Sequence, residues 1–267
     1  MTITPDSILL TDRVALVTGA AQGIGEATAV LLARFGCDLA ICDREAEGLA
    51  QTATVIEGMG RRVVSGVFDV RDGEAVDGFM ARVGADLGPI DVLVNNVGGG
   101  FHAPFSAVSP NGEAALVAEN FGTVTNCVRS AMERFAPGAA IVNVTSVEAY
   151  HAAPGFGVYA AMKAAVEQFS KTLALELSDR GIRVNCVGPD MIPTPGDADL
   201  AGASGAMADD HHPTPLRRMG TPEECAAVIV FLASDLASFV TGVTIPVDGG
   251  TTAGAAWKVG LDGTFRM

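Results

Sequence analysis

Short apolar runs rich in valine and isoleucine alternate with longer, alanine-rich amphipathic segments along almost the whole chain. The runs are apolar throughout, which is typical of strands covered on both faces of a sheet. Strand–helix alternation with connections of this length predicts right-handed βαβ units, and hence an α/β fold with a doubly wound, mostly parallel, seven-stranded sheet between helix layers. We predict strands at residues 14–18, 39–42, 63–68, 92–95, 140–145, 184–187 and 244–247, and helices near residues 24–35, 45–59, 73–87, 112–135, 158–179 and 222–234.

No linker divides the 267 residues, so we predict one domain over residues 1–267. The least structured stretch, residues 194–215, is small, acidic and rich in proline and glycine. It is either a solvated loop or a mobile lid over a substrate site, because long structureless loops in compact domains are usually functional. Residues 251–267 form a C-terminal tail. Disorder is the default for such a tail, but Trp257, the only tryptophan, predicts that it packs, for instance on a neighbouring subunit.

The charge and the cysteine pattern exclude several classes of protein. With 31 acidic and 17 basic residues the net charge is −14, which argues against non-specific binding of nucleic acid or anionic membranes. Five cysteines without a C-x-x-C pair predict free thiols, buried in the core, in a reducing compartment. Four histidines make no familiar zinc site, so we predict no metal. Without a leader pattern or an apolar stretch of about 20 residues, we expect a soluble cytoplasmic protein.

The first predicted strand runs into a glycine-rich turn at residues 18–25, and a helix follows. A phosphate site needs this arrangement, because glycines let the backbone approach a pyrophosphate and the helix N-terminus supplies N–H donors. The spacing G-x-x-x-G-x-G differs from the usual G-x-G-x-x-G fingerprint, so a purely structural turn stays open. Its place between strand and helix is nonetheless that of a Rossmann-type dinucleotide site.

Asp43 ends the second predicted strand, 18 residues after Gly25. An acid about 20 residues beyond the glycine turn accepts hydrogen bonds from an adenosine ribose, and its charge would repel a 2′-phosphate. This predicts NAD(H) as cofactor. Arg44 keeps NADP(H) open, because a guanidinium can bind that phosphate, although Gln22 leaves the middle of the glycine turn without a second base. A helix N-cap is the other interpretation of Asp43.

Tyr159 and Lys163 stand four residues apart in a predicted helix, so their side chains share a face. A nearby ammonium lowers the pKa of a phenol from about 10 toward neutral pH, which makes the phenol a usable general acid/base. The chain has only two tyrosines and three lysines, so this spacing rarely arises by chance. An ordinary surface pair is the alternative.

In their order along the chain, these features resemble the core of the short-chain dehydrogenase/reductase family, and the resemblance covers residues 12–250. Ser146 stands 13 residues before Tyr159, a separation seen in that family. The other matching positions are Asp69, Val70, Asn95, Asn96, Gly98, Asn120, Pro189, Thr194, Thr241 and Gly242, with residues 220–224 and 247–250.

The resemblance implies four catalytic residues, namely Asn120, Ser146, Tyr159 and Lys163. Tyr159 would exchange a proton with the substrate oxygen, to which Ser146 would hydrogen-bond. Lys163 would hold the nicotinamide ribose and lower the pKa of Tyr159, and Asn120 would hold a relay water through its helix backbone. The implied cofactor contacts are Gly19, Gln22, Gly23, Ile24, Asp43, Arg44, Asp69, Val70, Asn96, Gly98, Tyr159, Lys163, Pro189, Ile192 and Thr194.

Substrate contacts are expected on the loops that follow the fourth, fifth and sixth strands, at the carboxyl edge of the sheet. The candidates are Gly100, Phe101, His102, Glu148, His151, Phe156, Asp190, Met191 and Met207. Both histidines are either ordinary loop residues or extra acid/base groups. Three positions depart from the family's pattern. Val97 and Met162 are packing variants, whereas Asp190, where a glycine usually stands, places a carboxylate near the nicotinamide, where it would reshape the pocket entrance or bind a polar substrate group.

The activity implied is an NAD(H)-dependent oxidoreductase that interconverts a secondary alcohol and a ketone. Its partner would be a small molecule, and the helices at 112–135 and 158–179 would assemble a homotetramer. An NADP(H)-dependent ketone or 3-oxoacyl reductase stays open, as does a non-catalytic nucleotide-binding scaffold or sensor. The apolar lining favours a hydrophobic ring or chain alcohol, while Glu148 and Asp190 keep sugars open.

Overall fold

The computed structural model describes residues 2–197 and 211–266. The strands are β1 (Val14–Thr18), β2 (Asp38–Asp43), β3 (Val63–Val67), β4 (Ile90–Asn95), β5 (Phe135–Val144), β6 (Arg183–Pro189), β7 (Thr244–Val247), β8 (Lys258–Val259) and β9 (Phe265–Arg266). The helices are α1 (Gly23–Arg34), α2 (Ala46–Gly58), α3 (Gly73–Asp86), α4 (Pro110–Val117), α5 (Thr123–Ala131), α6 (Gly157–Glu176), α7 (Pro222–Ala233) and α8 (Thr251–Gly254).

Within the described residues, seven strands form a parallel sheet in the order β3-β2-β1-β4-β5-β6-β7. The chain builds outward from β1 to β3, crosses back to β4, and then builds outward to β7. Strand order therefore reverses between β1 and β4, and ligands of such sheets bind beyond the carboxyl ends of the strands at this point. The predicted doubly wound parallel sheet is confirmed.

Two apolar clusters pack on opposite faces of the sheet. Alternate residues of β1 belong to different clusters: Val17 joins one with Leu32 of α1, and Leu16 joins the other with Leu173 of α6. All four side chains are at most 3% exposed. Coverage on both faces explains why the central strands are apolar throughout.

The edge strand β3 departs from this pattern. It ends at Val67, one residue earlier than predicted, and the Val67 side chain is 58% exposed. The Val67 side chain at the end of this edge strand is therefore uncovered, and the expectation that every strand is covered on both faces is wrong here.

The helix predicted over residues 112–135 is helical without interruption up to Ala131, and only its C-terminal end is wrong. Helix α4 ends at Val117, a π-helical turn covers Ala118–Gly122, and α5 ends at Ala131. Strand β5 begins at Phe135, where Phe135 pairs with Ile90 before a bulge. The apolar side chain of Phe135 suits a helix face as well as a strand, so the sequence pattern does not mark this boundary.

The C-terminal segment is folded in the described residues up to 266. After α8, strands β8 and β9 form an antiparallel hairpin. His211 bridges to Gly260, and the His212 N–H donates to the Val259 carbonyl at 2.9 Å. Residues 211–212 are therefore tied to this hairpin, while Trp257 is 49% exposed.

All five cysteines lie in the described part of the chain, where they are free and buried, as predicted. None of the helices in residues 2–197 and 211–266 has the length and hydrophobicity needed to span a bilayer. The same residues bring no three or more His, Cys, Asp or Glu side chains into a metal-binding group.

Candidate active site

The glycine turn (residues 18–25) joins β1 to the N-terminus of α1. Gly19 and Gly23 have φ angles of +69° and +61°, a region that favours glycine. A Cβ added at Gly25 would lie 1.9 Å from the Gly19 carbonyl oxygen, so no side chain fits there. The turn is thus a close backbone cradle next to the free N–H groups of a helix, which fits a pyrophosphate.

Asn96, at the carboxyl end of β4, braces this turn. Its Nδ2 donates to the carbonyl oxygens of Thr18 and Gly19, at 3.1 Å in both cases. Its backbone N–H donates to the Thr18 hydroxyl. The amide is therefore committed to holding the turn in place, and the ribose contact implied for Asn96 stays a prediction.

Asp43 lies between the turn and the start of α2. One carboxylate oxygen accepts from the Ala21 N–H and the other from the Glu45 N–H, both at 3.0 Å. These bonds fix the carboxylate at the end of β2, at the edge of the glycine turn. The adjacent Arg44 is exposed, as is Gln22 in the turn itself.

The Asp69 carboxylate, one of the implied cofactor contacts, forms an ion pair with Arg71 that the sequence alone did not indicate. Arg71 binds the Asp69 carboxylate through Nε, at 2.9 and 3.0 Å, and through Nη2 at 2.5 Å. This pairing holds the pKa of Asp69 below its usual range. Val70 is buried, and its carbonyl accepts from Asn126. Any adenine contact of Asp69 must therefore share the carboxylate with Arg71.

Lys163 lies at the centre of the predicted catalytic group and is 3% exposed. Its Nζ donates to the Val144 carbonyl at 3.1 Å and lies 5.5 Å from the ring centre of Tyr159. Burial lowers its pKa from 10.5 to about 8, against the opposing effect of Glu119 and other nearby anionic groups. The structure therefore places a buried ammonium with a lowered pKa beside the tyrosine ring.

Asn120 lies on the π-helical turn between α4 and α5. Its Oδ1 accepts from the Gly99 N–H at 3.1 Å, and its Nδ2 donates to the Gly99 carbonyl at 2.8 Å. A Cβ at Gly98 would lie 2.5 Å from the Lys163 Nζ and 2.9 Å from the Asn120 Oδ1. The loop after β4 is thus seated directly between these two side chains.

Ser146 follows β5, two residues after the carbonyl that binds Lys163. Its Oγ accepts from the Glu148 N–H at 3.2 Å and lies 3.5 Å from a Glu148 carboxyl oxygen. The hydroxyl and the ammonium therefore lie near the same end of β5, while Lys163, Asn120 and Tyr159 adjoin the loop after β4.

Comparisons with known proteins agree with this geometry. The family model described as enoyl-(acyl carrier protein) reductase matches residues 19–252. A cyclohexanol dehydrogenase from Rhodococcus sp. strain TK6 is 36% identical over 92% of this chain and 98% of its own length. A 3-oxoacyl-(acyl-carrier-protein) reductase FabG from Thermotoga maritima is 38% identical, over 90% and 98% of the two chains. The solved structure of a dehydrogenase/reductase from Sinorhizobium meliloti 1021 has a TM-score of 0.85 and 33% identity, and covers 92% of this chain and 97% of that one.

The chain belongs to the short-chain dehydrogenase/reductase family. It is accordingly an oxidoreductase of the nicotinamide-dependent type, as the sequence analysis predicted. The family's cofactor fits the structure at the glycine turn, because the turn follows the carboxyl end of β1 and runs directly into the N-terminus of α1, whose N–H groups suit a pyrophosphate.

In this dehydrogenase fold, Gly25→Ala is expected to weaken NADH binding at least about 100-fold, because the cradle must shift to admit the methyl group. The added carbon would lie 1.9 Å from the Gly19 oxygen and 2.6 Å from the Asn96 Nδ2. Fluorescence titration with NADH and a thermal melt measure the effect. Gly84→Ala in α3 is the control. Nothing lies within 4 Å of its added carbon, and we expect it to stabilise the helix by about 0.5–1 kcal/mol. Unchanged NADH binding in Gly25→Ala would contradict the pyrophosphate assignment.

Beside Tyr159, two loops pack on each other. A Cβ at Gly100 would lie 3.3 Å from the Tyr159 ring, and the Ala103 N–H donates to the Gly155 carbonyl at 2.9 Å. The His102 and Phe156 rings are 5.2 Å apart, and the Phe156 and Tyr159 rings are 6.4 Å apart. Of the predicted substrate residues, Gly100, His102 and Phe156 thus adjoin Tyr159 directly or through Phe156.

Two other substrate candidates are placed differently. The Phe101 ring lies beside Gly112 at the start of α4. His151 is exposed. Their substrate contacts stay predictions.

Glu148 follows β5 and Asp190 follows β6, and the two carboxyls lie close enough to interact electrostatically. Burial raises the pKa of both carboxyls; the charge of Asp190 adds to the effect on Glu148, and that of Asp248 to the effect on Asp190. Thr251 and Lys258 lie near Asp190 and act on the pKa of its carboxyl. The C-terminal segment therefore approaches the end of β6, which the sequence alone did not indicate.

The remaining candidates follow β6. Pro189 ends that strand, Met191 is 39% exposed with φ +50°, and Ile192 is buried in an apolar cluster with α1 and α7. Thr194 lies over Gly23, whose added Cβ would be 3.0 Å from the Thr194 Cβ. Residues 194–197 thus begin the predicted lid above the glycine turn. Met207 lies outside the described residues.

Proposed function

We propose that this enzyme is an NAD(H)-dependent dehydrogenase that interconverts a secondary alcohol, most favourably a cyclic one, and its ketone. The observation that carries the proposal is the buried Lys163 ammonium, 5.5 Å from the Tyr159 ring centre, with Gly98 seated between this ammonium and Asn120. Such a cluster beside a dinucleotide cradle suits proton transfer to an oxygen that gains or loses a hydride.

Tyr159 would be the general acid/base. Its hydroxyl would take the alcohol proton during oxidation and return it during reduction, while the nicotinamide accepts or supplies the hydride. Ser146 supports this assignment, because its Oγ accepts from the Glu148 N–H and its own proton has only a long contact of 3.5 Å with the Glu148 carboxyl. Ser146 and Tyr159 would then hold the substrate oxygen together in a fixed geometry.

Lys163 and Asn120 would prepare this geometry. A positive charge beside the phenol favours the phenolate, and Lys163 is also expected to hold the nicotinamide ribose. The Asn120 side chain keeps the loop after β4 in place through its two bonds to Gly99, so its backbone is the group left to hold a relay water.

Asp43 supports NAD over NADP. Its carboxylate is held beside the turn by two backbone N–H groups, where it can accept from the ribose hydroxyls and would repel a 2′-phosphate. The alternative, an NADP(H)-dependent ketone or 3-oxoacyl reductase, is favoured by Arg44 and by the name of the Thermotoga maritima relative. A non-catalytic nucleotide-binding scaffold or sensor is disfavoured, because the predicted catalytic side chains are present and converge.

The substrate class rests on the relative from Rhodococcus, whose name is cyclohexanol dehydrogenase, and on the aromatic wall that Phe156 and Tyr159 provide. Glu148 and Asp190 would accept hydrogen bonds from a further hydroxyl group, so a ring that carries a second hydroxyl also fits. An acyl group on an acidic carrier protein fits less well, because the chain carries a net charge of −14.

The direct test is reduction of NAD and of NADP with cyclohexanol, cyclohexanediols, steroid alcohols, polyols and a 3-hydroxyacyl thioester. We expect turnover with NAD on at least one cyclic alcohol, and at least about tenfold lower kcat/KM with NADP. Turnover with NADP and the thioester alone would identify the alternative reductase instead. Absence of both turnover and NADH binding would contradict the enzyme assignment.

The setting of the enzyme is part of the same proposal. Free, buried cysteines support a cytoplasmic location. A homotetramer is supported by large apolar side chains left exposed, with Leu175 77% and Phe239 fully exposed, and light scattering tests it. One domain over residues 1–267, with a lid near 194–215 and a tail from 251, stays a prediction.

A further inference from the structure

The N-terminus of α2 is closed by a carboxylate. Glu45 precedes the helix, and its Oε1 accepts from the Glu47 N–H at 3.2 Å while its Oε2 accepts from the Gly48 N–H at 2.7 Å. These are donors that a helix N-terminus otherwise offers to an anion such as a phosphate. Here a negatively charged side chain of the protein already occupies them.

This carboxylate lies next to the glycine turn and Asp43, where the adenosine ribose is expected to bind. A Cβ added at Gly48 would be 2.5 Å from the Ala21 carbonyl oxygen and 3.0 Å from the Glu45 Oε2. Asp43 accepts from the backbone N–H groups of both Ala21 and Glu45. The glycine turn and the two carboxylates therefore meet within a few ångströms, with the exposed Arg44 between the two acids in sequence.

We infer that Glu45 is a second specificity-determining residue, which acts with Asp43 to exclude the 2′-phosphate of NADP(H). The inference rests on the proposed preference for NAD. A phosphate on the adenosine 2′-oxygen would enter beside two like charges and would find the N–H donors of α2 taken. The Arg44 guanidinium would have to bind the phosphate against the opposing charges of the Asp43 and Glu45 carboxylates.

Another cap in the chain separates this role from ordinary helix capping. Asp72 caps α3 in the same manner, since its Oδ1 accepts from the Glu74 and Ala75 N–H groups. These bonds hold the Asp72 carboxylate at α3. The Glu45 carboxylate, by contrast, accepts from the Gly48 N–H, and Gly48 packs closely on the Ala21 carbonyl of the glycine turn. If a capping carboxylate mattered only for helix stability or for total charge, Glu45 and Asp72 would affect cofactor choice alike.

The experiment measures the dissociation constants of NADH and NADPH by nicotinamide fluorescence, which requires no substrate. Glu45→Gln keeps an oxygen acceptor for the helix but removes the charge, and we expect NADPH to bind about tenfold tighter while NADH changes less than about twofold. Adding Asp43→Asn should bring the total change in the NADPH-to-NADH ratio to about 100-fold, because the two charges act on the same phosphate. Glu45→Asp, which keeps the charge, should retain the wild-type ratio.

Asp72→Asn is the matched control, and thermal melts verify that each variant is folded. Equal shifts of the ratio in Glu45→Gln and Asp72→Asn would overturn the inference, since total charge alone would then explain both. A shift with Asp43→Asn but none with Glu45→Gln would also overturn it, while the proposed NAD preference would stand. A wild-type enzyme that binds NADPH more tightly than NADH would contradict the proposed cofactor itself.

Discussion

Replacement of Tyr159 by phenylalanine is expected to lower kcat for a secondary alcohol by at least about 1,000-fold, at the upper part of the range for loss of a general acid/base. NADH binding should change by less than about threefold. The substitution removes one oxygen and leaves the ring, which contacts Phe156 and lies beside Gly100 and the Lys163 ammonium. Binding and proton transfer are thereby separated, because the ring packing survives and the transferable proton does not.

Tyr150 supplies a control for this substitution. It is the chain's only other tyrosine, and its hydroxyl lies near Glu167 and Thr244 instead of the catalytic group. Tyr150→Phe makes the same chemical change upstream in the chain, so turnover should stay within about twofold of wild type. Steady-state kinetics with NAD, together with NADH titration, measures both variants. Full turnover in Tyr159→Phe would refute the acid/base role, and equal losses in both variants would point to a general effect on the pocket.

The doubly wound sheet and the glycine turn could be predicted from the sequence, because both depend on local patterns. Apolar strands alternating with helices leave few topologies open. A strand followed by glycines and a helix is readable from neighbouring residues alone. The shared face of Tyr159 and Lys163 was predictable for the same reason, since a spacing of four residues on a helix fixes it whatever packs around them.

Other features of the fold and site depend on contacts between residues that are distant in sequence. The π-helical turn at Ala118–Gly122 keeps an ordinary helical composition. The Asn120 side chain within it bonds to Gly99, 21 residues away, and no local pattern encodes that contact. The π-helical turn within the helix predicted over residues 112–135 therefore becomes visible only in the folded chain.

The electrostatic partners of two site carboxylates show the same limit. Arg71 lies two residues from Asp69, but only folding shows that its guanidinium takes that carboxylate. Lys258 lies in the C-terminal tail, far from Asp190 along the chain. Its charge acts on the Asp190 carboxyl because the tail folds back toward the end of β6, which a local sequence pattern does not reveal.

Lys163→Met is expected to change the pH dependence of stability as well as to abolish most turnover. Lys163 is 3% exposed, and burial lowers its pKa from 10.5 to about 8. Below pH 8 the lysine is charged in both the folded and the unfolded chain, so the full cost of burying the ammonium is present. Between pH 8 and 10.5 the unfolded chain binds more protons, so the stability of the wild type rises with pH. Above pH 10.5 the lysine is neutral in both states and the cost is absent.

The difference between these two pKa values corresponds to roughly 3 kcal/mol, at up to about 1.4 kcal/mol per pH unit. Methionine carries no charge and lacks this dependence. It also leaves the Val144 carbonyl without the donor that Lys163 supplies, at a cost of about 1–3 kcal/mol that does not vary with pH. The absolute difference in stability between the two proteins is therefore a mixture of effects. The slope of that difference against pH reports the ammonium together with the phenol of Tyr159, whose pKa depends on Lys163, and it isolates the ammonium once that phenol is removed.

Urea unfolding of wild type and Lys163→Met at pH values from about 7 to 10.5 measures this slope, and taking the difference cancels the titration of groups whose pKa does not depend on Lys163. Measuring the same pair in a Tyr159→Phe background removes the coupled titration of the phenol. We expect the wild type to gain on the variant as pH rises from 8, while the variant's kcat falls at least about 100-fold. Lys171→Met, at an exposed position on the same helix, is the control and should lack the slope. A flat difference for Lys163→Met would show that the ammonium is hydrated in the folded protein. The enzyme would then not hold a buried charge beside Tyr159, and the physical basis for tuning that phenol would be lost.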